Sequence, residues 1–325
     1  MTVSRFLALF VAALSIGFAL PSTAAYPDHA IRIIIGWSAG GATDNAARTL
    51  AKHLGKELGV SVIVENRDGA SGMIGTEVVA NSPPDGYTIQ YTVADTHSIN
   101  PHLFKGIRYD ARNDFIPVAL VGYNPTVLVV NSALGITSLK QYIERAKANP
   151  GKITFATWGI GSGGHLRLAA LSNAAKIDLL HVPYKGSGPA LTAVVGGQVD
   201  SMIVPVALAK AQVASGKLNV LAVDTETRYE EVPEVPTYKE QGYIVTMNTW
   251  QGVLVPKGTP QPIVDRLNKA VNAALSTPEA QADFARLGIV RIVAGDGSPA
   301  AARVYMNAEY DRWGEVIRAA NITVE

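Results

Sequence analysis

Residues 31–50 read IRIIIGWSAGGATDNAARTL. The apolar run Ile31–Ile35 has the length and character of a buried strand. Residues 36–41 form a small-residue turn, and a helix is expected over residues 43–58. Ala46, Ala47, Leu50, Leu54 and Leu58 fall on one face of it, and Gly59 closes it. A strand that enters a helix through a glycine turn leaves the first N–H groups of the helix without intrahelical acceptors, at the positive pole of its dipole. That end is a seat for an anion such as a carboxylate. A second unit of the same kind, ITFATWGIGSGGHLRLAA, occupies residues 153–170. We expect the two units to face each other across a cleft and to hold one small anionic ligand.

The same alternation extends along the chain. Strands are expected at residues 61–65, 88–93 and 118–121, and again at 126–130, 153–157, 179–183, 201–204, 219–223 and 249–255. Helices fall between them, and a long amphipathic helix is expected over residues 300–320. This implies an α/β protein with mainly parallel sheets covered on both faces. Near residues 122–125 and 243–249 the pattern passes from one set to the other without a Gly/Ser-rich or charged linker, as a hinge of two extended crossings would. The expected division is lobe 1 from residues 26–123 and 250–325, and lobe 2 from residues 124–249. Two such lobes can close over a ligand.

Composition fits two domains. The 325 residues are 48% hydrophobic and 17% charged, with a net charge of +1, which gives no electrostatic reason to expect nucleic acid or an anionic membrane as partner. Arg5, the apolar residues 6–20 and the small residues at 21–25 have the order of a secretory signal peptide, cleaved after Ala24 or Ala25. There is no cysteine, so neither a disulfide nor a lipid-modified cysteine is available. A free periplasmic monomer is expected, with no cofactor.

Three glycine turns invite chemical readings. Gly36-Trp37-Ser38-Ala39-Gly40 matches the G-x-S-x-G nucleophile elbow, with Ser38 as its serine. An elbow normally follows an upstream loop that supplies an oxyanion donor, and here only about ten residues precede it after the signal peptide. Asp44 lies on the helix that this turn opens, where its ordinary role is to bond the turn's N–H groups. Gly159-Ile160-Gly161-Ser162-Gly163-Gly164 matches G-x-G-x-x-G, but the next strand ends in His181-Val182-Pro183-Tyr184, without the acid that a dinucleotide site wants about 20 residues on. His165 opens the following helix, as a cap or as a ligand-facing donor. In Tyr184-Lys185-Gly186-Ser187-Gly188-Pro189, Tyr184 and Ser187 could donate to a ligand at the carboxyl ends of the strands. Trp37 and Trp158 are either packing residues or apolar walls of the cleft. His29, His53, His97, His102, His165 and His181 show no metal-ligand spacing, so no metal is expected. The turns contain no arginine, and Arg167 lies inside the helix after the second. The anion should therefore be held by backbone N–H groups and neutral side chains.

These blocks, together with Val64-Glu65-Asn66-Arg67, Pro83-Pro84-Asp85-Gly86-Tyr87, Thr96-His97-Ser98-Ile99-Asn100-Pro101 and Gly196-Gly197-Gln198-Val199-Asp200, resemble the Bug family. These are TctC-like periplasmic solute-binding proteins, the extracytoplasmic receptors of tripartite tricarboxylate transporters. The resemblance runs from Tyr26 nearly to the C-terminus. It implies two lobes of the type II periplasmic-binding-protein kind closing on a small carboxylate, and membrane transporter components as partners. It places the ligand against Ser38, Ala39, Gly40 and Gly41, against Thr96, His97 and Ser98, against Trp158, Gly161, Ser162, Gly163 and His165, and against Tyr184 and Ser187, with Trp37 beside them as a candidate wall. The chain departs from the family at Gly36-Trp37, where relatives often have Pro-Phe or Pro-Tyr, and near Val204 and Pro205, where many carry a polar residue, often Asp. An apolar wall at Val204 removes a partner for a ligand ammonium. That expectation ranks an aromatic or aliphatic mono- or dicarboxylate above an amino acid, with a tricarboxylate kept by the family alone. A sensing module for a membrane kinase would use the same cleft, and a secreted hydrolase acting through Ser38 is the enzymatic alternative.

Overall fold

The computed structural model describes residues 26–319, except residues 226, 244 and 246–248. The expected signal peptide, part of the second crossing and residue 320 of the last helix lie outside the described residues. The first half of the chain runs β1 (Ile31–Ile35), α1 (Ala42–Leu58), β2 (Val62–Asn66), α2 (Met73–Ala80), β3 (Thr88–Val93), α3 (Asn100–Leu103), β4 (Phe115–Tyr123), β5 (Thr126–Asn131) and α4 (Leu139–Ala148). Next come β6 (Thr154–Thr157), α5 (Gly163–Ala175), β7 (Leu180–Pro183), α6 (Ser187–Val195), β8 (Ser201–Pro205), α7 (Val206–Ala214) and β9 (Leu218–Val223). The chain then continues with β10 (Trp250–Pro256), α8 (Gln261–Ser276), α9 (Pro278–Arg286), β11 (Val290–Arg291) and α10 (Pro299–Ala319).

The strands form two sheets, ordered β11-β4-β10-β3-β1-β2 and β7-β6-β8-β5-β9. Each sheet has a parallel run, β2-β1-β3 in one and β7-β6-β8 in the other. Each also has antiparallel pairs, around β10 in the first and β5 in the second. The sheets are therefore more mixed than the alternation of strands and helices suggested. The cause is topological: β5 and β10 each enter their sheet from a crossing out of the other sheet, not through a right-handed βαβ crossover, so nothing fixes them parallel.

Strand β1 shows why both faces are covered. Ile31, Ile33 and Ile35 point to one face, where Leu50 and Leu54 of α1 and Val264, Leu267 and Val271 of α8 pack on them. Ile34 points to the other face, towards Val79, Trp250 and Leu254. Burying each such side chain contributes about 1.5–3 kcal/mol. Gly59 ends α1 at φ 72°, a left-handed turn that suits glycine.

The first crossing is short and held at both ends. Asn124 Nδ2 donates to the carbonyls of Leu287 (2.9 Å) and Gly288 (3.1 Å), and Gln251 Nε2 donates to Asn124 Oδ1. On the other side Asp224 accepts from the Thr126 N–H at 2.7 Å and from its hydroxyl at 2.5 Å. The last helix touches both halves: Trp313 and Ile317 of α10 form one apolar cluster with Ile99, beside the first sheet, and Leu166 of α5. Among the described residues no helix is long and apolar enough to cross a membrane.

Candidate functional site

The β1–α1 and β6–α5 turns border a common space. Between them lies a cavity of ≈ 50 Å³, lined by Trp37, Gly41, Ala42, Thr43, Val93, Asp95, Asn124, Thr126, Trp158, Ser187, Pro205, Thr249 and Gln251. Trp37 and Trp158 also wall a second groove of ≈ 300 Å³, whose far side includes residues 69–73, Ile160 and Tyr184. Both tryptophans thus serve the cleft as walls, although Trp37 is also almost wholly buried. The lobes touch closely around this space. The Ala42 N–H donates to Ser187 Oγ at 3.2 Å, the Ser38 N–H to the Lys185 carbonyl at 3.3 Å, and Ser71 Oγ to the Ile160 carbonyl.

The cavity meets the first unit at Gly41, Ala42 and Thr43, slightly later than the seat expected at Ser38–Gly41. Ala39 and Gly40 are exposed, and the Gly40 N–H is taken by Asp44 Oδ2 at 2.9 Å. Asp44 is buried and also accepts from Arg48 Nε at 3.0 Å and Asn66 Nδ2 at 2.9 Å. Burial pushes its pKa up, but Arg48, the Gly40 N–H and Asn66 outweigh that and hold it below the ordinary value. Its carboxylate therefore organises the turn. The cavity is faced by Gly41, Ala42 and Thr43, at the first turn of α1, where helix geometry leaves N–H groups without intrahelical acceptors. Ser38 Oγ lies against Gly186, with no hydrogen-bond partner among the described residues.

Thr96, His97 and Ser98 do not line the cavity. They sit in a π-helical turn, Asp95–Ile99, and face the interior of lobe 1. Thr96 Oγ1 bonds Thr92 Oγ1 at 2.7 Å and His97 Nδ1 at 2.8 Å. The His97 ring packs edge-on against Phe115, and Ser98 Oγ accepts from Trp250 Nε1 at 3.1 Å. Burial lowers the His97 pKa to about 3, so the ring is neutral. The residue of this turn that reaches the cavity is Asp95, which the sequence reading passed over. Its signal was present: an acid just past the carboxyl end of a fully buried strand, where ligands sit in open α/β sheets.

In the second unit, Trp158 Nε1 donates to Asp95 Oδ2 at 2.6 Å and the Gly163 N–H to Asp95 Oδ1 at 3.3 Å. Ser162 caps α5, its hydroxyl accepting from the His165 N–H at 3.4 Å. Gly161, at φ +74°, donates its N–H to His165 Nδ1 at 3.1 Å. The His165 ring stacks on His181 with 4.1 Å between centroids and turns into lobe 2, not towards the ligand space. Burial lowers its pKa to about 4. Arg167 is fully buried behind Gly163, and its Nε lies 3.1 Å from Asp224 Oδ2. Val204 is buried in the lobe 2 core with Val127 and Met202, while Pro205 lines the cavity. The expected apolar wall at Val204 is therefore absent, and with it the argument against a ligand ammonium.

The family's sequence model, described as the tripartite tricarboxylate transporter family receptor, matches residues 46–322. The chain belongs to this receptor family. BugT of Bordetella pertussis is 37% identical over 326 residues, which cover 98% of this chain and 98% of BugT. The structure of the periplasmic binding protein BugD is similar at a TM-score of 0.87 and 35% identity, over 92% of this chain and 100% of that one. The R. palustris protein Rpa4515, solved with adipate, is similar at 0.86 and 31% identity, over 92% of this chain and 99% of its own. Membership makes the protein a two-lobed solute-binding receptor and not an enzyme.

Two clusters of ionisable groups stand out among the described residues. In the cleft, burial raises Asp95 to about 6 against the pull of Trp158, Arg167 and Gly163, and burial raises Asp224 against Arg167 and Thr126. Far from the cleft, His53, Glu279 and Asp283 bring their ligand atoms within 4.8 Å of one another. The sequence spacing of the histidines does not show this group, because α1 and α9 contribute to it jointly. Lys52 contacts Glu279 at 2.8 Å and Asp283 at 2.9 Å, and Lys56 contacts Glu279 at 2.8 Å, so ammonium groups already neutralise these acids.

Proposed function

We propose that this chain is an extracytoplasmic receptor that captures a small organic carboxylate between its lobes and presents it to the membrane components of a tripartite tricarboxylate-type transporter. The observation that carries this is the cavity faced by the first turn of α1 at Gly41, Ala42 and Thr43, with Ser187 of the opposite lobe bonded to the Ala42 N–H. A carboxylate entering there would accept from backbone N–H groups at a helix N-terminus. Residues 26–123 with 250–325, and residues 124–249, act as the two closing units. Residues 1–25 direct export to the periplasm. A thermal-shift panel of aliphatic, aromatic and amino carboxylates, with calorimetry on the hits, tests the reading. Stabilisation at a hundredfold excess over Kd should be about 2.7 kcal/mol. A panel in which no carboxylate shifts the melt or releases heat would overturn it.

A further inference from the structure

The polar pole of lobe 2 is already occupied by a carboxylate, and that carboxylate belongs to the protein. Asp95 comes from lobe 1, is 1% exposed, and takes the two donors that the β6–α5 turn aims into the cleft, Trp158 Nε1–H at 2.6 Å and Gly163 N–H at 3.3 Å. Arg167 stands just behind: a Cβ added at Gly163 would lie 2.9 Å from Arg167 Nη1 and 3.4 Å from Asp95 Oδ1. Asp224 shares the same guanidinium at 3.1 Å. Two buried carboxylates thus compete for one arginine, and no Lys, Arg or His is among the described residues lining the cavity.

We propose that Asp95 is a specificity-determining residue: it fills the lobe 2 anion seat from within and so restricts the receptor to ligands with a single carboxylate, whose far end is neutral or cationic. This rests on the carboxylate-receptor reading above and narrows it. The ligand's one carboxylate goes to the first turn of α1. A second carboxylate would have to share Trp158 and Gly163 with Asp95 in a dry site that already carries excess negative charge, and like charges so placed suppress each other's ionisation. The adipate-bound relative shows that a dicarboxylate can be found with a protein of this family; in this chain Asp95, bonded to Trp158 and Gly163, disfavours that ligand class.

The test is calorimetry on matched pairs of equal length, butyrate with succinate, hexanoate with adipate, and benzoate with terephthalate, plus 6-aminohexanoate. The proteins are the wild type, Asp95→Asn and Asp95→Ala. Asn keeps the shape and one acceptor for the Trp158 indole, so it reports charge alone if the Ala variant is poorly folded. In the wild type the monocarboxylate or the amino acid should bind at least about tenfold more tightly than the dicarboxylate of the same length. Asp95→Asn should raise relative dicarboxylate affinity by at least about tenfold. A wild type that prefers the dicarboxylate, or a mono-to-dicarboxylate ratio unchanged in both variants, overturns the role of Asp95 and leaves the receptor reading standing. Failure of every acid in every pair to bind wild type and variants overturns the receptor reading itself.

Discussion

Asp95 and Gly161 each make a testable demand. Asp95 is raised from 3.8 to about 6, first by burial. Between those values the folded chain holds a proton that the unfolded chain has lost, so stability falls as pH rises from about 4 to about 6 and the cost stays complete above that. Relative to the wild type, Asp95→Asn should therefore gain stability across that window. Urea melts at pH 4, 5, 6 and 7 check this, and a constant difference between the two proteins would refute the raised pKa. Gly161 combines a positive φ with a Cβ position 2.8 Å from the Phe104 ring across the cleft. Gly161→Ala should cost about 1–2 kcal/mol from the backbone alone. It should also weaken ligand binding by keeping the lobes apart. Calorimetry on a confirmed ligand reads the second effect, and unchanged affinity would show that closure does not need this approach.

Among the elements, α5 carries the most. Its N-terminus faces Asp95, and its second turn holds Arg167 against Asp224. Removing one partner of a fully buried pair strands the other, so Arg167→Ala should lose about 3–5 kcal/mol in denaturant unfolding. A loss within about 0.5 kcal/mol, the range of ordinary surface changes, would contradict the pairing. The sequence had marked Arg167 only as an arginine outside the turns, because a buried ion pair between α5 and the end of β9 leaves no local pattern. The glycine turns were legible for the opposite reason: strand, turn and helix are consecutive, so periodicity alone places them. Side-chain direction at the turn after β3 was not. A π-helical turn widens the spacing, sending Thr96, His97 and Ser98 inward and leaving Asp95 at the cavity. Val204 was misplaced by the same limit, because β8 is buried along its whole length and offers no alternation from which to read its cleft side.

On the scale of the whole molecule, the two sheets meet through polar contacts near the ligand space and through the apolar cluster of Ile99, Leu166, Trp313 and Ile317 behind it. The short link at Asn124 and Pro125, anchored on one side through Asn124 and on the other through Thr126 and Asp224, is where a hinge would bend. The cavity of ≈ 50 Å³ is smaller than the ≈ 300–1,000 Å³ of ordinary ligand pockets and the lobes touch around it, so this arrangement is a closed one, and a ligand enters from a more open arrangement of the ligand-free protein. Small-angle scattering on the ligand-free protein and on the same sample saturated with a calorimetrically confirmed carboxylate tests this most directly. Lobe closure predicts a smaller radius of gyration and a shorter maximum dimension in the bound state. Superimposable profiles at proven saturation would contradict capture by closure of the two lobes.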